Sequence, residues 1–398
     1  MVDRKEEMKA ITEKLESGIK ELFSSEKYSD YLRTMSKFTN YSLNNSLLIY
    51  MQKPDATAIA GYRAWETKFE RHVKRGETGI RILAPAPYRK EVEQDKLDAN
   101  GNVIRRSHGT PVTERVTKVI QAYKPISVFD VSQTEGKPLP EIVHTLEGNV
   151  DGYENFVEAL KRTSPVEIRS ELIQGEANGY YHLADKTIVV DARLPEKQAL
   201  KTTIHEISHA VLHDRDTGIE KEADRRTREV QAESVAYTVC QRYGIDTSDY
   251  SFAYVGTWAQ DKDLAQLRDS MDVIRKTAND LIDGIDRHLD DIRLEQATEI
   301  AYQVGDHYLM LSKVPGRDSY DYSLYDKDFK LERINTIDGC NRIDRAADLV
   351  LRDNGLAHMP RDEIEIETVT QGISSRRQDD VAVERESQKV SYAGVRGF

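Results

Sequence analysis

Residues 204–213 read Ile-His-Glu-Ile-Ser-His-Ala-Val-Leu-His. His205 and His209 are four apart, so on an α-helix both imidazoles lie on one face, about one turn from each other. Such a pair can place two nitrogens on one zinc ion. Glu206, between them, is placed to act as general base toward an attacking water. Leu200, Ile204, Ile207 and Val211 recur at spacings of 4, 3 and 4 and predict a helix over about 196–213 with its own apolar flank.

A two-histidine match needs a third ligand. Glu229 lies 20 residues after His209 on a second helical stretch, about 220–243, closed by Gly244 in the C′ position. Two antiparallel helices would bring Glu229 beside the histidines. Glu233, one turn further on, would accept a hydrogen bond from a ligand imidazole. Ala236 and Cys240 continue that face and let the helices approach closely. His213 does not fit the spacing of the longer three-histidine motif and is read as a neighbour of the ligands or a solvated residue. Zinc with three protein ligands keeps an open position, and peptide hydrolysis is the usual use of that arrangement. A zinc site that only stabilises the fold is the other reading left open.

The chain of 398 residues carries a net charge of −12, which disfavours nucleic acid overall. The charge is uneven. From Arg63 to Lys124 there are 14 Lys and Arg against 8 Asp and Glu. Within that island, cations alternate with aromatics: Tyr62, Arg63, Trp65, Lys68, Arg71, Lys74, Arg75 and Arg81. Aromatic faces stack on unpaired bases while cations follow phosphates, so these eight residues are the candidates for a single-stranded DNA surface. The expected partners are therefore single-stranded DNA and a possible protein substrate, with oligomeric state left open.

Several segments in order carry a family resemblance: Asn44-Asn45-Ser46-Leu47-Leu48, Gln52-Lys53-Pro54, Gly61-Tyr62-Arg63-Ala64-Trp65, Lys74-Arg75-Gly76-Glu77-Thr78-Gly79-Ile80 and Val128-Phe129-Asp130-Val131-Ser132-Gln133-Thr134. They resemble the N-terminal domain of ArdC-type antirestriction proteins. The resemblance implies a single-stranded-DNA-binding domain followed by a zincin-like metallopeptidase domain, the latter also similar to ImmA/IrrE peptidases. It implies protection of a mobile, conjugative element from host restriction. A regulatory protease acting on a repressor or other DNA-associated protein is the alternative, as is a non-catalytic zinc-stabilised scaffold.

The implied fold class is α+β with several domains: an ArdC-like domain over 1–135, a zincin-like domain over 141–295 and a small α+β module over 300–360. This last segment is similar to YodL-type modules. The apolar positions from Leu264 to Ile292 predict one long amphipathic helix packed on its own domain. Helices are also expected over Glu7–Tyr31 and Ser42–Met51, a hairpin over Val73–Leu83, loop over 84–115, a linker over Gln133–Pro140 and a disordered tail over 372–398. Two cysteines 100 positions apart exclude a disulfide scaffold. No apolar run approaches a membrane span and no secretory signal is visible, so a cytoplasmic protein is expected.

Overall fold

A computed structural model describes residues 4–23, 25–99, 101–139, 150–219, 223–248, 250 and 252–376. The chain is α+β and divides into two compact units, Met1–Ile285 and Asp286–Phe398. Among the described residues no helix is long and apolar enough to cross a membrane.

The first unit opens with helices α1 (Arg4–Leu22), α2 (Ser25–Met35) and α3 (Leu43–Gln52). The single helix expected over Glu7–Tyr31 is thus two, the second beginning at Ser25, a residue type that favours helix starts. Next come β1 (Ile59–Gly61), α4 (Tyr62–Phe69), β2 (Arg71–Val73), β3 (Ile80–Pro85), β4 (Tyr88–Asp95), β5 (Thr113–Ile120), β6 (Tyr123–Asp130) and β7 (Thr134–Gly136). Strands β1, β6 and β3 form an antiparallel sheet in that order, and its inner face buries Ile80, Ile82 and Val128 against Phe38 and Ile49.

β3 is an edge strand, and α3 closes its edge. Asn45 donates to the Leu83 carbonyl and accepts from the Leu83 amide, at 2.9 and 2.8 Å. Gln52 does the same for Arg81, at 3.0 and 2.9 Å. Two side-chain amides stand in for a neighbouring strand, so this edge offers no free template for another chain. Pro125 lies in β6 opposite Leu83, where β1 does not reach, so its missing N–H breaks no ladder bond. Asp130, buried, accepts from the amides of Thr57, Ala58 and Ser132, while Gln133 bonds Glu77 and the Thr78 carbonyl. The Asp130 and Gln133 of the quoted motif therefore knit three loops to the sheet.

Three expectations differ here. Val73 and Ile80–Leu83 do not form one hairpin: β2 pairs with β7 and β3 pairs with β6. The Gln133 end of the expected linker is a 3₁₀ turn followed by β7, while Pro140 lies outside the described residues. Residues 84–115 are loop only in part: β4 and β5 form a two-stranded ribbon over eight register pairs, and the described residues of 96–112 between them hold turns and isolated bridges. Both faces of that ribbon are largely solvated, so it carries no apolar alternation to betray it.

The unit continues with α5 (Val150–Thr163), β8 (Glu167–Glu171), β9 (Gly179–His182), β10 (Thr187–Asp191), α6 (Glu196–His213), α7 (Arg225–Arg242), α8 (Val255–Gln260) and α9 (Leu264–Gln296). β10 is buried throughout and sits between β8, parallel to it, and the antiparallel edge strand β9. The two stretches of this unit share one core: Tyr28 Oη lies 2.8 Å from Ser234 Oγ, and Phe23 packs on Trp258. The apolar seam of α9 (Leu267, Met271, Ile274, Ala278, Leu281, Ile285) is buried within the chain, as its spacing predicts.

The second unit, entered within α9, holds β11 (Glu299–Val304), β12 (His307–Lys313), β13 (Ser319–Tyr325), β14 (Leu331–Asp338), α10 (Ile343–Asp353) and β15 (Arg361–Ile364). The sheet runs β14-β13-β12-β11-β15, with Ile343, Ala346, Ala347 and Val350 of α10 in its core. Residues 366–376 are helical, which corrects the disorder expected from 372 for its first five positions. Val369 is buried there and Arg376 donates to the Asp328 carbonyl, a single apolar anchor too sparse to show as a period. The rest of the expected tail lies outside the described residues.

A candidate metal centre and the basic N-terminal surface

α6 begins after Pro195 and buries Leu200, Ile204, Ile207 and Leu212, which leaves His205 and His209 on another face. α7 starts on an Asp224 cap and packs against α6, with Ala232, Ala236 and Cys240 fully buried. The close contact of the two helices brings Glu229 to the histidine pair.

The Nε2 atoms of His205 and His209 are 3.1 Å apart, and Glu229 Oε2 lies 3.8 and 3.7 Å from them. All three ligand atoms fall within 4.8 Å of one another. Ligands about 2.0–2.2 Å from one tetrahedral ion are separated by about 3.3–3.6 Å, so the observed spacings bracket that figure. Two imidazoles and a carboxylate are a donor set for a divalent metal. Glu233 Oε2 lies 3.2 Å from His205 Nδ1; since a carboxylate accepts, this ring carries a proton on Nδ1 and turns Nε2 toward His209 and Glu229. His205, His209, Glu229 and Glu233 thus come together where the sequence expects them.

Glu206 is buried at the same site. Burial pushes its carboxyl above the usual range, against the pull of His205, His209 and the Tyr181 backbone amide. Burial disfavours the His205 cation, but Glu233, Glu206 and Glu229 outweigh it and raise the ring's pKa overall. Glu229 is lowered, first by His209 beside it. The Tyr181 contact comes from the edge strand β9, which passes very close to α6. A Cβ on Gly179 would lie 2.6 Å from Thr202 Cγ2 and 2.9 Å from the Val189 carbonyl, so only glycine permits that approach. Gly179, His205 and Glu206 line two hollows, of about 250 and about 690 Å³. The smaller also holds Lys201 and Gln198; the larger holds Tyr180, Leu183 and Arg225.

His213 is 4% exposed and is no ligand of that trio. Burial pushes its imidazole down to about 4. Cys240 is a buried thiol raised to about 12 by desolvation, and it behaves as a small apolar side chain.

The basic surface divides. Tyr62 is 55% exposed, and Arg63, Lys68 and Arg75 are also exposed. Trp65 corrects the sequence expectation: it is 1% exposed, its ring packs on Phe69 at 5.0 Å, and its Nε1–H donates to the Phe129 carbonyl at 2.9 Å. It cannot stack on a base without leaving the core. Arg71 donates to Thr134 Oγ1 and to the carbonyls of Thr134, Gly136 and Lys137, which fastens β2 to β7. Lys74 caps the Ser132 carbonyl, and Arg81 is ion-paired with Glu7. Tyr88 and Tyr123, both within the same basic island, are also exposed.

An HExxH helix, a glutamate-bearing partner helix and an edge strand laid across them define a zincin-like arrangement. Residues 3–129 match the family model for the N-terminal domain of the anti-restriction factor ArdC, and residues 163–240 match that for the IrrE N-terminal-like domain. The two matched segments are thus similar, in that order, to the N-terminal domain of ArdC and to the IrrE N-terminal-like domain. An uncharacterized protein of Bacillus anthracis is 29% identical over 319 residues, which cover 73% of this chain and 53% of that protein. The chain spans about half the length of this curated relative. Crystal structures of antirestriction protein ArdC from the R388 plasmid are also similar. The metal-free one has 20% identity and a TM-score of 0.36 over 63% of this chain and 84% of its own; the Mn(II)-bound one has 19% and 0.34 over 64% and 86%.

Proposed function

We propose that this protein is a zinc-dependent peptidase joined to a single-stranded-DNA-binding domain, and that it protects a mobile element from host restriction. The observation that carries the peptidase reading is the convergence of His205, His209 and Glu229 beside a buried Glu206. His205, His209 and Glu229 would hold zinc, which supplies Lewis acidity to polarise the scissile carbonyl and acidify a water. Glu206 takes the proton of the attacking water and passes it to the leaving amine. The Tyr181 amide fixes its orientation. The two hollows on either side of His205 and Glu206 give room for residues flanking the cleaved bond.

Elemental analysis of the purified chain is expected to find about one zinc per chain, lost in His209→Ala. Glu206→Gln should keep the zinc and lose cleavage of a mixed peptide library. A wild-type protein that binds no divalent metal sinks the reading. For the N-terminal domain, exposed Tyr62 with Arg63, Lys68 and Arg75 supports contact with unpaired bases and phosphates. Affinity for a single-stranded oligonucleotide should exceed that for duplex and fall with salt. Equal, negligible binding to both at low salt removes this half of the proposal. Antirestriction is tested by plasmid transfer into a restricting host, with Glu206→Gln showing whether proteolysis is its basis.

A further inference from the structure

His213 lies one turn beyond His209 on α6 and is buried. Its Nδ1 is 3.0 Å from Nδ1 of His209, and its Nε2 is 3.0 Å from Oε1 of Gln231 on α7. Gln231 in turn donates from Nε2 to Ser270 Oγ on α9, at 3.2 Å. Gln231 and Ser270 are buried as well. One hydrogen-bonded chain therefore runs through three helices and ends on a ligand ring.

Such a chain has a direction. An amide oxygen only accepts, so Gln231 Oε1 requires the proton on Nε2 of His213. A neutral imidazole has one N–H, so Nδ1 of His213 is then a lone pair and must accept from Nδ1–H of His209. That assigns the single proton of a neutral His209 to Nδ1. Its Nε2, the atom facing His205 and Glu229, is left as a lone pair, the acceptor of the 3.1 Å hydrogen bond it shares with His205 Nε2 in the metal-free protein. Run the other way, the chain would put a proton on Nε2 and remove His209 from the donor set. Glu233 likewise accepts from Nδ1–H of His205, with a carboxylate. The second ring has no carboxylate at its Nδ1; the neutral relay stands in that place.

We propose that His213, oriented by Gln231 and Ser270, is a positioning residue that holds His209 as the Nδ1–H tautomer and so keeps its Nε2 open to a divalent cation. This rests on the metal-site reading above, but the tautomer is a property of the metal-free protein and is measured without metal.

The experiment uses the full metal-free chain with ¹⁵N-labelled histidine. Long-range ¹H–¹⁵N correlation, assigned with His209→Ala, reports which nitrogen of His209 is protonated. The wild type should show Nδ1–H. His213→Leu should shift His209 toward Nε2–H, the form an unconstrained side chain favours, and should weaken zinc binding in a chelator competition by about tenfold or more. His213→Gln, whose amide oxygen can accept from His209, should keep the Nδ1–H form and bind zinc more tightly than His213→Leu. An Nε2–H form in the metal-free wild type overturns the proposal. So does a folded His213→Leu protein with unchanged tautomer and unchanged zinc affinity. If His213→Leu does not fold, the wild-type tautomer and the His213→Gln measurements decide. A wild type that shows Nδ1–H yet binds no zinc would leave the relay standing and sink the metal reading instead.

Discussion

Trp65 separates two accounts of the N-terminal domain. In the sequence it sits among cations and looks like a base-stacking ring. In the structure it is 1% exposed, packs on Phe69 and donates to the Phe129 carbonyl. Trp65→Ala therefore removes a core ring, at a cost of about 3–5 kcal/mol. The orphaned Phe129 carbonyl adds on the order of 1 kcal/mol. Against a typical total of about 5–15 kcal/mol, that is roughly a quarter or more of the stability. Tyr62→Ala removes an exposed ring whose main neighbour is the edge of Phe129, 6.1 Å away. It should change stability by less than about 1 kcal/mol. If Tyr62 stacks on a base, it should weaken single-strand binding by about 1–3 kcal/mol, or about 5- to 150-fold. Urea unfolding of both variants, with Trp258 as the remaining reporter in Trp65→Ala, supplies the stabilities, and oligonucleotide titration supplies the affinities. The reasoning is refuted if Trp65→Ala unfolds at the wild-type midpoint while its DNA affinity collapses, for then the ring is free to stack.

Gly179→Ala should force β9 off α6, with a stability loss of about 1–3 kcal/mol and reduced peptide turnover at unchanged zinc content; a thermal melt and elemental analysis check both parts. Asn45→Ala strips the Leu83 amide and carbonyl of their partners and should cost about 1–3 kcal/mol in urea titration, whereas Asn45→Asp keeps the acceptor and should cost less. The Asp214 carboxyl is held far below the usual range by the Lys186 ammonium, then by the Tyr181 hydroxyl and the Thr217 amide. A folded-state pKa below the unfolded one gives stability that is present above about pH 4 and lost as pH falls further. The melting temperature should therefore drop as the protein is acidified below about pH 5, and Asp214→Asn should lower it at pH 7 and flatten that acid limb.

What the sequence made legible follows from how local each signal is. The histidine pair and Glu206 lie within about one helical turn, the apolar spacing around them marks α6, and 196–213 is where the helix falls. Glu229 and Glu233 were legible because two antiparallel helices joined by a short loop leave few ways to pack, and Ala236 and Cys240 narrow them further. Trp65 was misread because interleaved aromatics and cations describe a stretch of chain, not which side of a two-turn helix meets the sheet. The fastening of Arg71 and Arg81 within the fold was illegible for the same reason: their partners, Thr134 and Glu7, lie more than 60 residues away. The relay from Ser270 to His209 was illegible in a further sense. It needs the rotational phase of α7 against α6 and of α9 against α7, and a shift of one residue in either helix would turn Gln231 or Ser270 away. The ligands of this site can be read as a motif, but the protonation state that makes His209 a ligand depends on packing among three helices.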